Sequence, residues 1–552
     1  MKYDTIIDHL NQILKKQILS NFNFKNEVNF KTEEFSPQVE KINNNNFGDF
    51  CAKFLFKLEF PVESIKMYSD YMIRKLTAKD RIFKKVEFVD PGFLNLTLTD
   101  RFINKYLKHS ISKHHKRNGT KKKLFYNIEF VSADPTSSLS ICDARNAVYS
   151  DTLTNIWKSN GIMVNKEYYV KDSGKKIDEL VQLVFNAYLE IVKNDNKDSE
   201  TNSNINNLPK FIATKIKNDN NDKYATSTTL SKSDTEYFKQ TTVDWMLNDI
   251  KQTLLCLGVN FDIWFRESDI YKYNLVPNIL ILLKKHTYKE NDTVFLRTTA
   301  YDDNKDRILI KPDKTYTYLT TDIAYHNTKL MRGYDKIFNV WECDHSSYVD
   351  YLRIAIQMLG YKKDIMNVMF QQMLKLTDSE KNNSDYTVKE LVEKLGKDEV
   401  RWFLISTSLD THLILDVNKI IENKNNNSIY YVQYAHARIN QLIEKNKEVF
   451  SKSKFKSLNL LTSQGEKILK LMIIEYKMLL KQISNNYAVH KLSAYLLDLS
   501  HAFHNFYTNF KIVDESNMEL SSQRYLLCGI VKRVIQSGLK LMGITPLNKM
   551  DK

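Results

Sequence analysis

The sequence lacks the features that would place it in a membrane or mark it for export. No apolar run reaches the roughly 18 residues that a membrane-spanning helix needs. The first segment, MKYDTIIDHLNQILKKQ, carries acidic residues early and has no continuous apolar block of the signal-peptide kind. A cytoplasmic protein without membrane association is therefore expected.

Cysteine is also scarce, and its spacing excludes two classes of small stabilising site. The five cysteines lie far apart and form no Cys-x-x-Cys pair. This argues against a disulfide framework and against a structural zinc site. We therefore expect no protein-held metal. The cysteines are Cys51, Cys142, Cys256, Cys343 and Cys528.

Negative charge is in deficit. Lys and Arg number 81 against 66 Asp and Glu, which gives a formal net charge of +15 and a pI of about 9.1. Such a balance favours a polyanionic partner, because basic side chains are attracted to phosphates. Compositional drift explains the same excess, so charge alone leaves nucleic-acid binding open.

The length of 552 residues predicts several domains. Residues 1–112 combine a helical pattern with the alternating strand signal VDPGFLNLTLT at 89–99, typical of an α+β unit. Residues 113–424 begin with a strand at 124–133, a helix at 144–160 and a strand at 166–170. This order is the opening of a parallel α/β sheet of the Rossmann-like kind.

Two further segments differ in composition from the rest. Residues 194–235 are rich in Asn, Asp, Ser and Lys, and we expect an expanded, partly disordered insertion there. Residues 425–552 carry apolar side chains at three- and four-residue spacing, which predicts an antiparallel all-α helical bundle.

Several stretches in the same order resemble one known family. They are IEFVSADPTSSL (128–139), YYVKDSGKKI (168–177), DRILIKPDKTYTYLTTDIAYH (306–326), WECDHSSYVDYLRIA (341–355) and YYVQYAHARI (430–439). Together they are similar to arginyl-tRNA synthetases, which belong to class I of the aminoacyl-tRNA synthetases. In that family the second stretch reads Tyr-Tyr-Val-Asn-Asp-Ala-Gly, and the fourth begins Trp-Gly-Ala-Asp-His.

The resemblance implies a function for each part of the chain. The N-terminal domain would contact the tRNA elbow, and the helical domain would bind the anticodon stem and loop. The catalytic domain would use ATP with Mg²⁺ to form arginyl-adenylate from L-arginine, and would then transfer arginine to the terminal ribose of tRNA(Arg). A monomer is the family expectation.

The resemblance places Glu129, Tyr318 and Asp322 at positions that bind the substrate arginine. Carboxylates suit this task because a guanidinium group presents a fixed fork of donors. Tyr318 and Asp322 are four residues apart, so they share a face if a helix has begun there.

Two more positions of the arginine site follow from the resemblance. Gln372 matches a pocket position, although the adjacent Gln371 leaves the register open. Asp134 stands where the family usually has Asn, which adds negative charge close to the carboxylate of the substrate.

The ATP-binding signature of class I synthetases, His-x-Gly-His, is replaced here by Ser140-Ile141-Cys142-Asp143. In the family the histidines donate hydrogen bonds to ATP phosphates as charge builds in the transition state. Ser140 keeps one donor, whereas an ionised Asp143 has none. A carboxylate about 4 Å from a phosphate costs on the order of 4 kcal/mol at intermediate dielectric. Alternatively, Asp143 is a helix N-cap.

The remaining ATP positions are also implied by the resemblance. The second signature, Lys-Met-Ser-Lys, aligns with residues 378–381, where only Lys381 is retained as a catalytic cation. Asp344 and His345 match ATP-binding positions, with Asp344 facing the ribose hydroxyls; an N-cap is the alternative for Asp344. Cys142 occupies the place of the signature glycine.

The motif YYVQYAHARI carries the candidate tRNA contacts. Tyr434 could stack on a base and Arg438 could meet a phosphate, while core packing is an equal alternative for Tyr434. Tyr434, His436 and Arg438 follow each other at two-residue spacing, so they do not all share one helix face.

Two functions remain open at this point. The first is an active arginine–tRNA ligase with an altered ATP site, in which Ser140, Asp143 and Lys381 serve catalysis. The second is a catalytically impaired homologue that acts as a tRNA-binding protein. The replaced signature is compatible with both.

Overall fold

The structure is a computed structural model. It describes residues 5–19, 37–42, 47–53, 62–78, 81–112, 123–193, 208–225, 229–343, 346–377, 386–422, 427–450 and 458–550. Over these ranges every helix is too short or too polar to cross a lipid bilayer.

The first part of the chain is an α+β unit, as predicted. A sheet of order β1-β2-β4-β3, antiparallel throughout, packs against three helices. Its core includes Leu94, Leu96 and Leu98, the apolar set of the alternating signal. The elements are α1 (Ile6–Leu19), β1 (Val39–Lys41), β2 (Phe50–Ala52), α2 (Val62–Thr77), β3 (Phe83–Val89), β4 (Phe93–Leu98) and α3 (Asp100–Ser112).

The centre is the predicted parallel α/β sheet. Its strand order is β12-β11-β5-β6-β7, and all neighbouring pairs described are parallel. The carboxyl ends of parallel strands meet at one edge, where α/β proteins place their ligands. The strands are β5 (Phe125–Glu129), β6 (Met163–Val170), β7 (Ile263–Arg266), β11 (Lys336–Glu342) and β12 (Met366–Gln371).

Smaller sheets flank the central one. A separate sheet of order β10-β9-β8 is antiparallel, and β13 pairs with β14 in parallel. These strands are β8 (Thr287–Glu290), β9 (Thr293–Leu296), β10 (Arg307–Ile310), β13 (Leu374–Thr377) and β14 (Leu413–Asp416).

The helices of the central part cover the faces and edges of these sheets. They are α4 (Ile141–Ser159), α5 (Lys175–Lys193), α6 (Leu208–Asn220), α7 (Lys232–Cys256), α8 (Glu267–Lys272), α9 (Leu275–Leu282), α10 (Tyr318–Met331), α11 (Ser346–Met358), α12 (Val388–Leu395), α13 (Lys397–Leu404) and α14 (Val417–Glu422).

The Asn-rich insertion is more ordered than its composition suggests. The prediction of disorder is wrong for residues 208–220, which form α6, and α7 begins at Lys232. Ile212, Ala213 and Ile216 are fully buried, and α6 packs against α5. The apolar face of α6 thus outweighs its polar composition. Residues 194–207 and 226–228 lie outside the described residues.

The last part of the chain is the predicted helical bundle. It consists of α15 (Ser428–Lys445), α16 (Lys447–Phe450), α17 (Gln464–Asn486), α18 (His490–Asn509) and α19 (Met518–Leu541). The bundle also packs on the N-terminal unit, since Lys470 in α17 forms an ion pair of 2.9 Å with Asp100. These contacts fix the two ends of the chain relative to each other.

Candidate active site

Three carboxylates from different elements gather at the carboxyl edge of the central sheet. Glu129 ends β5, Glu267 follows β7, and Asp322 lies in the second turn of α10. They surround the Tyr169 ring: burial raises the pKa of Tyr169, and the charges of Glu267, Asp322 and Glu129 raise it further. A concentration of negative charge in a partly buried cleft indicates a cationic ligand.

Glu129 is buried and hydrogen-bonded on both oxygens. Its Oε2 pairs with the Nζ of Lys329, a side chain with 0% exposure, and accepts a hydrogen bond of 3.2 Å from Asn339 Nδ2. Its Oε1 accepts from Ser132 Oγ at 3.2 Å. The charge of Glu129 is therefore balanced inside the protein. Lys329 was not predicted from the sequence, although its spacing of seven residues from Asp322, two turns of helix, places both on one face of α10.

A strained turn after β5 fixes the orientation of Glu129. Val131 and Ser132 have φ values of 66° and 48°, a region that a β-branched residue rarely occupies. Asn146 Oδ1 accepts a hydrogen bond of 3.1 Å from the Val131 N–H. Ser132 Oγ in turn accepts from the Tyr169 N–H at 3.1 Å. Such strain persists because the surroundings hold it, and it concentrates at functional sites.

Burial acts strongly on the Asp322 carboxylate. Burial raises its pKa to about 6; the Tyr348 hydroxyl, which donates to Oδ2, opposes the rise, and Glu129 adds to it. His326, one turn later, is buried and its pKa falls to about 3, so its ring is neutral. Its Nδ1 lies 2.9 Å from the Asp322 carbonyl oxygen, and its Nε2 lies 3.0 Å from Asn339 Nδ2.

Glu267 is a site residue that the sequence analysis did not identify. Ser173 Oγ donates to its Oε2 at 2.8 Å, and burial raises its pKa. Like Glu129, it stands at the end of a strand of the parallel sheet, a position that becomes visible only in the fold. Without the position of β7 in that sheet, an acidic residue before a short helix is unremarkable in sequence.

The other predicted arginine positions, Tyr318 and Gln372 with its neighbour Gln371, have different surroundings. Tyr318 begins α10, so it shares a face with Asp322, and it is 85% exposed at the rim. Gln371 is buried and its Nε2 donates to the Cys142 carbonyl oxygen at 2.8 Å. Gln372 is partly buried, and its main-chain N–H donates to the Leu409 carbonyl oxygen at 3.0 Å.

Asp134 forms two ion pairs close to the cluster. Its Oδ1 lies 3.0 Å from Lys171 Nζ, and its Oδ2 lies 2.7 Å from Lys176 Nζ. Burial alone would raise the pKa of Asp134, but the hydrogen bonds and charges of Lys176 and Lys171 hold it below its usual value. The extra negative charge of this position is thus compensated within the fold.

The segment Ser140–Asp143 forms a capping box at the start of α4. Ser140 is the N-cap, so the N-cap prediction for Asp143 is wrong: Asp143 is the third helical residue. Its Oδ2 accepts from the Ser140 N–H at 2.8 Å and from Ser140 Oγ at 2.6 Å. Ser140 Oγ accepts in return from the Asp143 N–H at 3.2 Å. Reciprocal capping of this kind satisfies otherwise unpaired main-chain donors.

Cys142 points away from the helix start. Its Sγ lies 3.7 Å from the Leu374 carbonyl oxygen, and burial raises the pKa of the thiol. Asp344, His345 and Lys381 lie outside the described residues. In the described part of the chain, no group of three or more His, Cys, Asp or Glu side chains is arranged to hold a metal ion.

A second candidate surface lies on the helical bundle. The Tyr434 ring stacks on Tyr430 at 6.3 Å between centroids and on His504 at 5.5 Å. Arg438 places its guanidinium over Tyr434 at 5.7 Å and over Tyr507 at 4.0 Å. Tyr434 is 39% exposed, so this aromatic surface with one cation is open to solvent.

His436 faces the opposite side of α15. It is buried, and its Nδ1 lies 2.7 Å from the Leu547 carbonyl oxygen. The three motif residues were expected to lie on different faces of the helix. Tyr434 and Arg438 share one face, and His436 lies on the other. The four-residue spacing of the first two explains the result.

Comparisons with known proteins cover the whole chain. Family models match at residues 4–98 (arginyl tRNA synthetase N terminal domain), 103–446 (catalytic domain of class I tRNA synthetases, R) and 432–550 (DALR anticodon binding domain). The chain is 35% identical to the arginine–tRNA ligase of Malacoplasma penetrans, over 98% of each chain. It is 36% identical to that of Ureaplasma parvum serovar 3, over 94% of this chain and 96% of the other.

A solved structure agrees on the fold. The arginyl-tRNA synthetase of Thermus thermophilus superimposes with a TM-score of 0.74 at 16% identity, covering 99% of this chain and 100% of that one. At this identity the likeness concerns the arrangement of the three parts, which is the one described above.

Proposed function

Because this chain belongs to the arginyl-tRNA synthetase family, we infer that it is an arginine–tRNA ligase, a class I aminoacyl-tRNA synthetase. It activates L-arginine with ATP and transfers the arginyl group to the 3′ end of tRNA(Arg) for protein synthesis. The carboxylate cluster of Glu129, Asp322 and Glu267 is the observation in the fold that carries this assignment, because it offers a cleft suited to a guanidinium. We propose that Mg²⁺ enters as part of the MgATP substrate.

The charges of the cleft match the substrate. Of the three carboxylates, Glu129 is paired with Lys329, while Asp322 and Glu267 are left to meet a cation. We propose that Asp322 and Glu267 hold the guanidinium and that Glu129, oriented by Ser132, accepts a further hydrogen bond. Tyr318 at the rim and Gln372 beside the sheet complete the proposed arginine site. The paired, planar geometry of a guanidinium and a carboxylate gives this site its preference for arginine.

The reaction has two steps, and each bond change is defined by the substrates. An oxygen of the arginine carboxylate bonds to the α-phosphorus of ATP, and pyrophosphate leaves. A hydroxyl of the terminal ribose of the tRNA then attacks the arginyl carbonyl, and AMP leaves. The proposed task of the cleft is to hold the arginine side chain so that its carboxylate points toward the ATP.

The Ser140–Asp143 segment has a supporting task in this proposal. The Asp143 carboxylate is turned back onto Ser140, which fixes its orientation at the helix start but leaves its negative charge in place when it is ionised. The same bonds occupy the Ser140 hydroxyl. We therefore propose that Ser140, Cys142 and Asp143 shape the start of α4 beside the ATP, and that Asp344, His345 and Lys381 contribute ATP contacts.

Arginine activation tests the function directly. The purified protein is given MgATP, radiolabelled pyrophosphate, arginine and cognate tRNA, with citrulline, the neutral isostere of arginine, as the matched control. We expect arginine-dependent pyrophosphate exchange and arginyl-tRNA formation, and neither with citrulline. Exchange and aminoacylation both at background, with tRNA binding retained, would favour the catalytically impaired tRNA-binding protein instead.

The pH dependence of arginine use follows from Asp322. Because burial raises its pKa to about 6, the carboxyl is protonated in the free protein below that pH, whereas binding a cation requires the ionised form. We expect KM for arginine to rise by about tenfold per pH unit below 6 while KM for ATP changes less. A flat arginine KM between pH 5 and 8 would remove Asp322 from the binding site.

For tRNA, we propose the surface formed by Tyr434 and Arg438 as the anticodon contact. Tyr434→Ala should weaken tRNA binding by about 10- to 100-fold, the loss expected for one stacked base, without changing arginine-dependent exchange. Arg438→Gln should reduce by about one the number of ions released on tRNA binding, as measured by the slope of log Kd against log salt concentration. Tyr301→Ala, a partly exposed tyrosine of the catalytic part, is the control. Unchanged tRNA binding in Tyr434→Ala would contradict this interface.

The remaining assignments are proposals of the same kind. Residues 1–112 would contact the tRNA elbow, residues 113–424 would perform catalysis, and residues 425–552 would bind the anticodon. We propose a monomer that works in the cytoplasm, where its tRNA is used. Light scattering of the purified protein measures its mass, and a monomer should give the mass of one chain, 65.0 kDa.

A further inference from the structure

Lys171, Lys176 and Asp134 form an ion-pair cluster between the arginine cleft and the ATP segment. Asp134 lies in the loop after β5, Lys171 directly follows β6, and Lys176 lies in the first turn of α5. The lysine side chains are 51% and 75% exposed, against 23% for Asp134. One carboxylate thus holds two ammonium groups whose side chains remain exposed.

The charges of this cluster act on the carboxylates of the arginine site and also on the segment at the start of α4. Burial raises the pKa values of Asp322 and Glu267, and the charge of Lys171 opposes the rise in each case. On the other side, burial raises the pKa of Asp143 and the Asp134 carboxylate adds to the rise. The cluster therefore lies within electrostatic range of both halves of the site.

A charge count shows what this cluster adds. Two lysines against one aspartate give this cluster a net charge of +1, and its charges act on Asp322 and Glu267 on one side and on Asp143 on the other. The segment Ser140–Asp143 supplies no cation, because none of its four side chains carries positive charge, and its one side-chain hydroxyl is bonded to Asp143. Negative charge nevertheless grows on the phosphates as pyrophosphate departs, and fixed cations near the phosphates lower the barrier.

We propose that Lys171 and Lys176 supply the positive charge for adenylate formation in this protein, with Asp134 as their common counter-ion. In this step an arginine carboxylate oxygen bonds to the α-phosphorus. The bond from that phosphorus to its bridging oxygen breaks, and pyrophosphate leaves with the electron pair. The lysines transfer no proton; they stabilise the oxygens on which the charge builds. The proposal rests on the proposed function and names residues for its first step.

A purely structural role predicts a different result. Ion pairs this exposed contribute little to folding, so their loss should leave the unfolding temperature nearly unchanged. A charge role instead predicts a loss of kcat in arginine-dependent exchange and weaker MgATP binding. It also predicts that arginine, which keeps the positive charge, is tolerated at either position.

The test uses the full chain with Lys171→Met, Lys176→Met and the double substitution. Lys175→Met is the matched control, since Lys175 is the neighbouring lysine, is 91% exposed and pairs only loosely, at 3.6 Å, with Glu179. For the double variant we expect kcat of exchange to fall about 100-fold. MgATP binding by equilibrium dialysis should weaken about tenfold. The control should stay within about twofold, and Lys171→Arg with Lys176→Arg should retain most of the activity.

Each outcome decides the proposal. Exchange and MgATP binding both unchanged in the double variant would overturn it, as would an equal loss in Lys175→Met or a loss accompanied by unfolding. If the parent chain shows no exchange at all, the proposed function fails, and MgATP binding still tests the lysines. Weaker MgATP binding in the double variant than in Lys175→Met would then support the proposed role of the two lysines, and equal binding would refute it.

Discussion

Replacing Asp322 with asparagine is expected to lower kcat/KM for arginine by about 10²- to 10³-fold, or roughly 3–4 kcal/mol. The carboxylate is shielded from solvent, and Lys329, one of the two cations whose charge acts on it, is already paired with Glu129. An amide of the same shape keeps an oxygen acceptor but loses the charge, and charge-assisted bonds are the stronger ones. Pyrophosphate exchange at varied arginine concentration measures the effect.

Two controls separate this effect from general damage. Asp313→Asn changes an exposed turn residue on the same segment and should leave exchange unchanged. The Asp322→Asn variant should also lose the rise of arginine KM below pH 6, since the titrating group is gone. A loss smaller than about fivefold, or a pH profile like that of the parent chain, would show that Asp322 does not bind the guanidinium.

The largest effect on stability is expected from Arg401→Met, at about 3–5 kcal/mol of the free energy of unfolding. The Arg401 side chain has no exposed surface, and it contacts three segments of the chain that are far apart in sequence. Its Nη2 lies 2.7 Å from Asp151 in α4, its Nη1 donates to the Leu257 carbonyl oxygen at 2.7 Å, and its Nε donates to the Met542 carbonyl oxygen at 2.6 Å. Methionine fills most of the volume but removes one of the two cations at Asp151 and the donors to the Leu257 and Met542 carbonyl oxygens.

Unfolding in urea, followed by circular dichroism, measures this loss, with the exposed Arg533→Met as control. In this variant Asp151 still pairs with Lys166 at 3.1 Å, so the Asp151 carboxylate keeps one cationic partner. Adding Asp151→Asn to Arg401→Met should lower the stability further, because it leaves the buried Lys166 ammonium without its carboxylate partner. A loss below about 1 kcal/mol would mean that water reaches the freed acceptors.

Much of the fold followed from local patterns. The alternation at 89–99, the strand–loop–helix–strand order after residue 123 and the helical spacing after residue 425 all appear in the structure. The insertion is the exception, because composition predicted disorder where α6 has an apolar face that packs on α5. Composition averages over a segment, whereas a helix needs only one apolar face to be stabilised.

Within the site, the sequence identified some of the ligand-binding candidates but not the charged side chains that surround them. Glu129 and Asp322 were proposed from motifs, and the fold brings them together. Glu267 and Lys329 were missed, although both come from elements that the fold brings to the same sheet edge. The N-cap was assigned one turn too late, to Asp143, because an aspartate before a helix pattern fits either the N-cap or the third position.

The sequence by itself determined the family, the order of the three parts and the periodic elements, because these depend on local spacing and on motifs read along the chain. Only the tertiary structure decided the charge state of the site. Glu129 meets Lys329 two hundred residues later, and Asp134 meets Lys171 and Lys176 from another strand and helix. The free energy of a carboxylate depends on the charges and the solvent within a few ångströms, and those neighbours are set by folding and not by position in the sequence.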